Sequence, residues 1–426
     1  MASSVIVRAS YTGGLSKLLA YYTEPRWLAL WAAMLGYMLD AMDVLLYVFA
    51  VQAIRAEFRL SNAEAGLVSS ATLFFSSVGG IAAGFLADRI GRRRTMIYTI
   101  LIYSLASGAS ATSPGLLALI LWRGVVGLGL GGEWSAGATL VAESWPAEHR
   151  GKAIALMQSG WAIGYMLAAV VAAALLPRFG WRVLFLAGVL PGLLVLFVQR
   201  KVSEPPLWLS QTKPAPGAWM RLFRPPLARR TVCATALATA VLFGYWGLFT
   251  WLPGFLSAPV SGGGAGMDVV HTSAWIFVSQ IGAFLGYLTF GWMSDRFGRR
   301  PSFALYVTLA ALVTPVYGLL PRWTGGSGGF LLLAMGPLIG FFGTGYFSLF
   351  GTLLAELYPT EIRGAGQGFA YNFGRGLSAL APYAVGLIAD RTGLGAALAL
   401  NSAFFLIGAV LVFTLPETKN TRLDMV

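Results

Sequence analysis

Apolar runs of membrane-spanning length recur along the chain with short polar breaks between them. Six lie near 27–54, 63–86, 95–113, 115–142, 151–177 and 181–200, and six more near 231–256, 271–293, 302–320, 329–355, 364–390 and 394–415. About 20 apolar residues cross a bilayer core as a helix. A polar stretch rich in Pro and Arg, 201–230, divides the two sets and carries one predicted helical turn at Ala218–Phe223. The pattern predicts an all-α membrane protein with 12 transmembrane helices. Its parts are a cytoplasmic N-terminal segment 1–26, a six-helix bundle 27–200, a cytoplasmic linker 201–230, a second six-helix bundle 231–415 and a cytoplasmic tail 416–426.

The polar breaks repeat. Gly84-Phe85-Leu86-Ala87-Asp88-Arg89-Ile90-Gly91-Arg92-Arg93-Arg94 returns 207 residues on as Gly291-Trp292-Met293-Ser294-Asp295-Arg296-Phe297-Gly298-Arg299-Arg300-Pro301. Glu143-Ser144-Trp145-Pro146-Ala147-Glu148-His149-Arg150-Gly151 returns 213 residues on as Glu356-Leu357-Tyr358-Pro359-Thr360-Glu361-Ile362-Arg363-Gly364. Two similar halves of membrane-length segments read as a transporter. Any multi-spanning protein carries basic inside loops. The ordered Gly, Asp, Arg and Gly positions, present twice, are what topology alone does not require.

The first repeat resembles the signature loop between helices 2 and 3 of the major facilitator superfamily, which recurs between helices 8 and 9. The resemblance covers nearly the whole chain. It implies the major facilitator fold, two pseudo-symmetric six-helix bundles around a central cavity, working by alternating access. Arg123 with the glycine run after it resembles the helix-4 motif of many proton-coupled members. The helix-5 signature of drug/proton antiporters and the paired glutamines of the sugar branch are both lacking.

Composition changes the picture little. Hydrophobic residues make up 57% and charged residues 11%, against about 25% charged in soluble chains. The net charge of +13 comes from basic residues scattered through loops and does not form a nucleic-acid-binding face. With both termini inside, 22 of the 30 Lys and Arg fall in inner segments and six in outer loops, so the positive-inside rule predicts N-in and C-in. The first 26 residues show no signal-peptide pattern. Lone Cys233 excludes an internal disulfide. No metal cluster, nucleophile triad or phosphate loop is visible, which argues against an enzyme and against any cofactor. The run Gly124-Val125-Val126-Gly127-Leu128-Gly129-Leu130-Gly131-Gly132 predicts close helix packing in lipid.

Ionisable residues inside spans are the candidate chemistry: Asp40, Asp43, Arg123, Glu133 and Arg375. Each costs about 2.5–3.5 kcal/mol at a helix centre, so each faces a cavity, a partner or a ligand. The bland explanation is a set of static ion pairs holding helices together. Asp40 and Asp43, three apart, point to one helix face together with Gly36 and Tyr47. Two close carboxylates disfavour double ionisation, a property suited to carrying protons. Asp40-Ala41-Met42-Asp43 resembles the paired-Asp motif of aromatic-acid, sialic-acid and related carboxylate/proton symporters. Asp43 and Arg123 lie at matched depth, which predicts that they pair. Gly131-Gly132-Glu133-Trp134 is similar to the pattern of metabolite/proton symporters and makes Glu133 a second proton-site candidate.

Arg375 lies near mid-membrane, about 17 Å into its span. Its permanently charged fork matches a carboxylate bidentately. Tyr371-Asn372-Phe373-Gly374-Arg375-Gly376 resembles a segment linked to anion binding in organic-acid transporters. Asn372, Tyr371, Gln158, Trp161, Tyr165, Gln280 and Tyr346 are candidate pocket residues, with Tyr245 and Trp246 alongside. The bland reading of each aromatic is packing. In the repeated loops Asp88, Arg92, Asp295 and Arg299 are candidate gate residues. So are the pairs Glu143 with Arg150 and Glu356 with Arg363, whose bland reading is a static topology anchor.

These residues point to proton-coupled symport of a small organic carboxylate (a monocarboxylate, sugar acid or aromatic acid) by a monomer in the inner (plasma) membrane. Its partners are an anionic small molecule, protons and lipid, with no nucleic acid. The competing reading is a facilitator or proton-coupled carrier of a neutral or cationic solute, with Arg375 as a strut. A membrane sensor or embedded enzyme finds no output domain or catalytic cluster here.

Overall fold

The computed structural model describes residue 22 and residues 24–145, 147–204, 218–325, 328–359 and 362–419. Every regular element among them is helical. Helix α1 (Pro25–Phe58) begins on a proline, tolerated there because its missing N–H would have no helical partner, and ends at Arg59 in the left-handed region. A capping box opens α2 (Asn62–Ile90): Ser61 Oγ accepts the Glu64 N–H, and the Glu64 carboxylate accepts the Ser61 N–H. Next come α3 (Arg92–Ser110), α4 (Leu116–Ser144), α5 (Ala147–Ala187) and α6 (Leu194–Lys201). Gly180, at φ 75°, breaks α5 where the predicted spans 151–177 and 181–200 meet.

Beyond the linker lie α7 (Leu227–Ser257), α8 (Val269–Phe297), α9 (Arg299–Trp323), α10 (Gly329–Thr344) and α11 (Phe347–Leu357). They are followed by α12 (Arg363–Ser378), α13 (Ala381–Thr392), α14 (Leu394–Asn401) and α15 (Ala403–Leu411). Nine helical stretches among the described residues are long and apolar enough to cross a bilayer. Predicted spans 95–113 and 364–390 are helical but fall outside that set. The first belongs to α3, which starts on three arginines; the second is interrupted between α12 and α13 and carries Asn372 and Arg375.

The repeated loop has a backbone reason. Gly91 (φ 107°, ψ 156°) and Gly298 (φ 105°, ψ 159°) turn the chain between α2 and α3 and between α8 and α9. A side chain strains that conformation and glycine does not. Each turn is secured in the same way. Glu204 accepts the N–H groups of Arg92 (2.8 Å) and Arg93 (3.3 Å). Glu417 accepts those of Arg299 (2.9 Å) and Arg300 (3.0 Å). These N–H groups start helices and lack internal partners, so a carboxylate is favoured there. The backbone N–H groups hold the Glu417 carboxyl below its usual range even though its partial burial opposes this. Glu204 and Glu417 stand 213 residues apart, the spacing of the second repeat, so this pair is a third element of the repeat.

The glycine run packs helices as expected. A side-chain carbon on Gly127 or Gly131 of α4 would collide with the α2 backbone at Thr72 and Ser76. Gly282 and Gly286 of α8 meet the backbone of α10 in the same manner. The helices before and after the linker meet where α2 packs on α12 and α13, α5 on α8, and α1 on α7.

Candidate functional site

A small cavity of about 20 Å³, room for about one water molecule, lies where these sets of helices face each other. Its wall includes Tyr37 and Asp40 of α1, Ser76 of α2, Trp134 of α4, Trp161 of α5, Trp246 of α7 and Arg375 of α12. Arg375 is only 6% exposed. Its Nε has no hydrogen-bond partner, and it makes no ion pair among the described residues. The guanidinium lies 5.6 Å from the Tyr371 ring, which stacks on Trp134 at 4.6 Å. Gln158 Oε1 holds the Trp134 indole N–H at 3.0 Å.

The opposite wall is also aromatic. Trp161 sits 5.1 Å from Tyr37 and 5.9 Å from Trp246, ring to ring. Its indole N–H donates to the Tyr245 hydroxyl at 2.6 Å. The Trp246 indole N–H is buried with no partner, as is Asp40 Oδ1. The cavity therefore presents one uncompensated cation, one carboxyl, a free indole donor and flat aromatic walls.

Asp40 is not paired with Asp43. Its carboxyl lies within electrostatic reach of Glu133 and Tyr103, and the Tyr103 hydroxyl is buried without a hydrogen-bond partner. Both Glu133 oxygens are buried without a partner of good hydrogen-bond geometry. Gly36, one turn before Asp40, makes this possible, because a methyl there would collide with Glu133 Oε1. Asp43 and Arg123 do not border the cavity. Residues three apart on a helix differ by about 60° in direction. That turns Asp43 away, toward α3 and α4. Ser107 Oγ donates to it, and Arg123 lies 3.4 Å from its Oδ2, both side chains sealed from solvent. Arg123 also covers the Phe185 ring at 5.5 Å. The pairing follows the sequence expectation, but the pair stands behind the cavity.

Asp43→Ala strands a buried guanidinium and is expected to cost about 3–5 kcal/mol. Thermal unfolding in detergent measures it, and Asp43→Asn with Arg123→Leu is expected to recover part of the loss. A stability equal to the parent's would count against a structural pair.

Other expected pocket residues separate. Tyr165 and Tyr346 are fully buried; their hydroxyls donate to Phe249 O (3.2 Å) and Val241 O (3.4 Å), which is packing. Gln280 is buried with both amide atoms unpartnered but does not line the cavity. Asn372 lies behind Arg375: Nδ2 donates to Gly368 O at 3.1 Å, and the Asn372 carbonyl accepts the Ser77 hydroxyl at 2.6 Å. The sequence reading missed Tyr37, Trp134 and Tyr103 as site residues. The first two stand one turn from Asp40 and beside Glu133, a proximity that marks them.

Among the gate candidates, the side chains of Asp88, Glu143, Arg150, Asp295 and Arg363 lie outside the described residues. Arg92 is buried and reaches Ala87 O at 2.9 Å. Arg299 contacts Ser294 Oγ (3.0 Å) and Glu356 Oε1 (3.3 Å), while Thr418 donates to Glu356 at 2.5 Å. Glu356 thus joins α11 to the start of α9 and the tail.

The family pattern described as Major Facilitator Superfamily matches residues 33–279 and 262–425. A probable 4-methylmuconolactone transporter of Cupriavidus pinatubonensis is 33% identical, over 92% of this chain and 91% of its own. The niacin transporter NiaP of Acinetobacter baylyi is 30% identical, over 93% and 95%. A solved D-xylose-proton symporter superposes with a TM-score of 0.73 over 93% of this chain and 99% of its own at 19% identity, a likeness of fold.

Proposed function

The chain belongs to the Major Facilitator Superfamily, and from that membership we propose a secondary active transporter that couples uptake of a small organic carboxylate to protons. That it is a non-enzymatic, multi-pass transporter of the plasma membrane is the premise. The proposal adds 12 spans in two bundles, 27–200 and 231–415, with both termini inside, supported by the loop distribution of Lys and Arg.

One observation carries the substrate class. A buried guanidinium lines a cavity and has no counter-ion among the described residues. An uncompensated buried charge is costly, and an arriving carboxylate removes that cost with two parallel hydrogen bonds. Aromatic walls favour a flat, unsaturated or ring-bearing acid. The names of the relatives, one for niacin and one for 4-methylmuconolactone, agree with that choice.

Proton coupling rests on charge balance. Asp43 and Arg123 neutralise each other, which leaves Asp40, Glu133 and Arg375. One proton shared by the adjacent carboxyls leaves that pair a single negative charge, which is not ion-paired with Arg375. The substrate anion then occupies Arg375 and makes loss of that proton unfavourable. Each ligand strengthens binding of the other, which is reciprocal linkage.

Proteoliposomes loaded at alkaline pH and diluted into acidic buffer test this. Labelled nicotinate is expected to accumulate beyond its level in protein-free liposomes, a protonophore to collapse that excess, and the matching amide to show no excess. Accumulation indifferent to the gradient removes coupling; equal uptake of the amide removes the carboxylate.

A further inference from the structure

Helix α2 begins at an end where the two sets of helices touch. Its first N–H groups need acceptors from outside the helix. Its own Ser61 hydroxyl takes only the N–H of Glu64, at 3.1 Å. The N–H groups of Asn62 and Ala63 go across to Asp390, near the end of α13, at 3.0 and 3.1 Å. Asn62 Nδ2 adds a third bond to Asp390 at 2.8 Å. The corresponding helix of the second half, α8, is capped locally, its N-cap Asp268 taking the His271 N–H at 2.8 Å. Helix α8 is capped within its own half, whereas α2 supplements its own capping box with a carboxylate from across the interface.

The surroundings make the contact a closure. Gly66 packs on the Pro382 carbonyl and Gly386 on the Asn62 carbonyl, with no room for a side chain at either. Arg55 lies within electrostatic reach of Asp390 and is itself held by Gln52 Oε1 (3.2 Å) and Leu60 O (3.3 Å). Separating the halves here breaks all three Asp390 bonds at once.

We propose that Asp390 is the outer latch of the transport cycle, a positioning residue whose trans-cap on α2 holds the outer end closed. The word "outer", and the cycle itself, rest on the transporter reading above. The latch bonds exist in the closed state and are replaced by water in the open one. They are solvent-exposed, so each is modest, but they act as a unit on a helix N-terminus.

The test uses the full chain in liposomes with Cys233→Ala. Spin labels go on cysteines replacing Thr112 and Val260, exposed positions in the two halves at this end. Asp390→Ala is expected to raise the ratio of long to short label distances about three- to tenfold. Asn62→Pro removes two of the three donors while leaving Asp390 in place, and proline is compatible with the first helical position. It is expected to shift the same ratio, and the double variant no further than the larger single effect. Distance distributions that superimpose on the parent's in both variants would overturn the latch. If Asp390→Ala does not fold, Asn62→Pro decides alone. The readout needs neither substrate nor gradient. A latch response without carboxylate uptake keeps the latch and removes the substrate reading; uptake without a latch response does the reverse.

Discussion

Arg375→Ala is expected to abolish saturable carboxylate binding, weakening affinity about a hundredfold or more. Truncating one partner of a buried, hydrogen-bonded charge pair costs about 2–5 kcal/mol, and each 1.4 kcal/mol is tenfold. Arg375→Lys keeps the charge but loses the planar fork, so an intermediate loss is expected. Stability separates ligand anchor from strut. Arg375 forms no ion pair among the described residues, so alanine there deletes an uncompensated charge. The unliganded variant is expected to unfold at the parent's temperature or above it, while losing the stabilisation that added carboxylate gives the parent. A strut predicts the opposite, a less stable protein that still binds. Thermal unfolding with and without nicotinate reads both quantities in one experiment.

Asp40→Asn is expected to uncouple transport. Gradient-driven accumulation should fall by about tenfold or more, toward simple equilibration, while exchange of labelled for unlabelled substrate persists. Asp40 borders the cavity and meets Glu133 behind it. Neutralising it removes one of the two carboxyls that share the proton, and the linkage between proton and anion goes with it. Glu133→Gln is expected to act in the same direction. Asp43→Asn serves as the contrast, because Asp43 stands apart with Ser107 and Arg123; its expected defect is stability. Asp40→Asn protein that accumulates substrate against a gradient as the parent does would end the coupling argument.

The roles divide along a line the sequence did not draw. Five ionisable groups within apolar runs were visible because each is costly in lipid. Their partners were visible only where depth along a helix decided the matter, as for Asp43 and Arg123. Asp40 and Glu133 come from different helices, and the space they share exists because Gly36 has no side chain. No spacing rule within one helix reports that. Tyr165 and Tyr346 looked like pocket residues by type and register, yet their hydroxyls are spent on backbone carbonyls. Nothing near Asp390 in the chain marks it, because the N–H groups it accepts belong to a helix start 328 residues away.

Taken alone, the amino-acid order determined what is local or periodic. It specified apolar length, the twofold repeat, the glycines that turn the chain at Gly91 and Gly298, and the presence of charges that lipid does not tolerate. It also specified the family, because those features recur in fixed order. Tertiary structure decided which charges neutralise one another and which stay open to a ligand. The reason is geometric. A direct ion pair needs its charged groups within about 4 Å, and a 60° difference in direction on one helix places Asp40 at a cavity and Asp43 against Arg123.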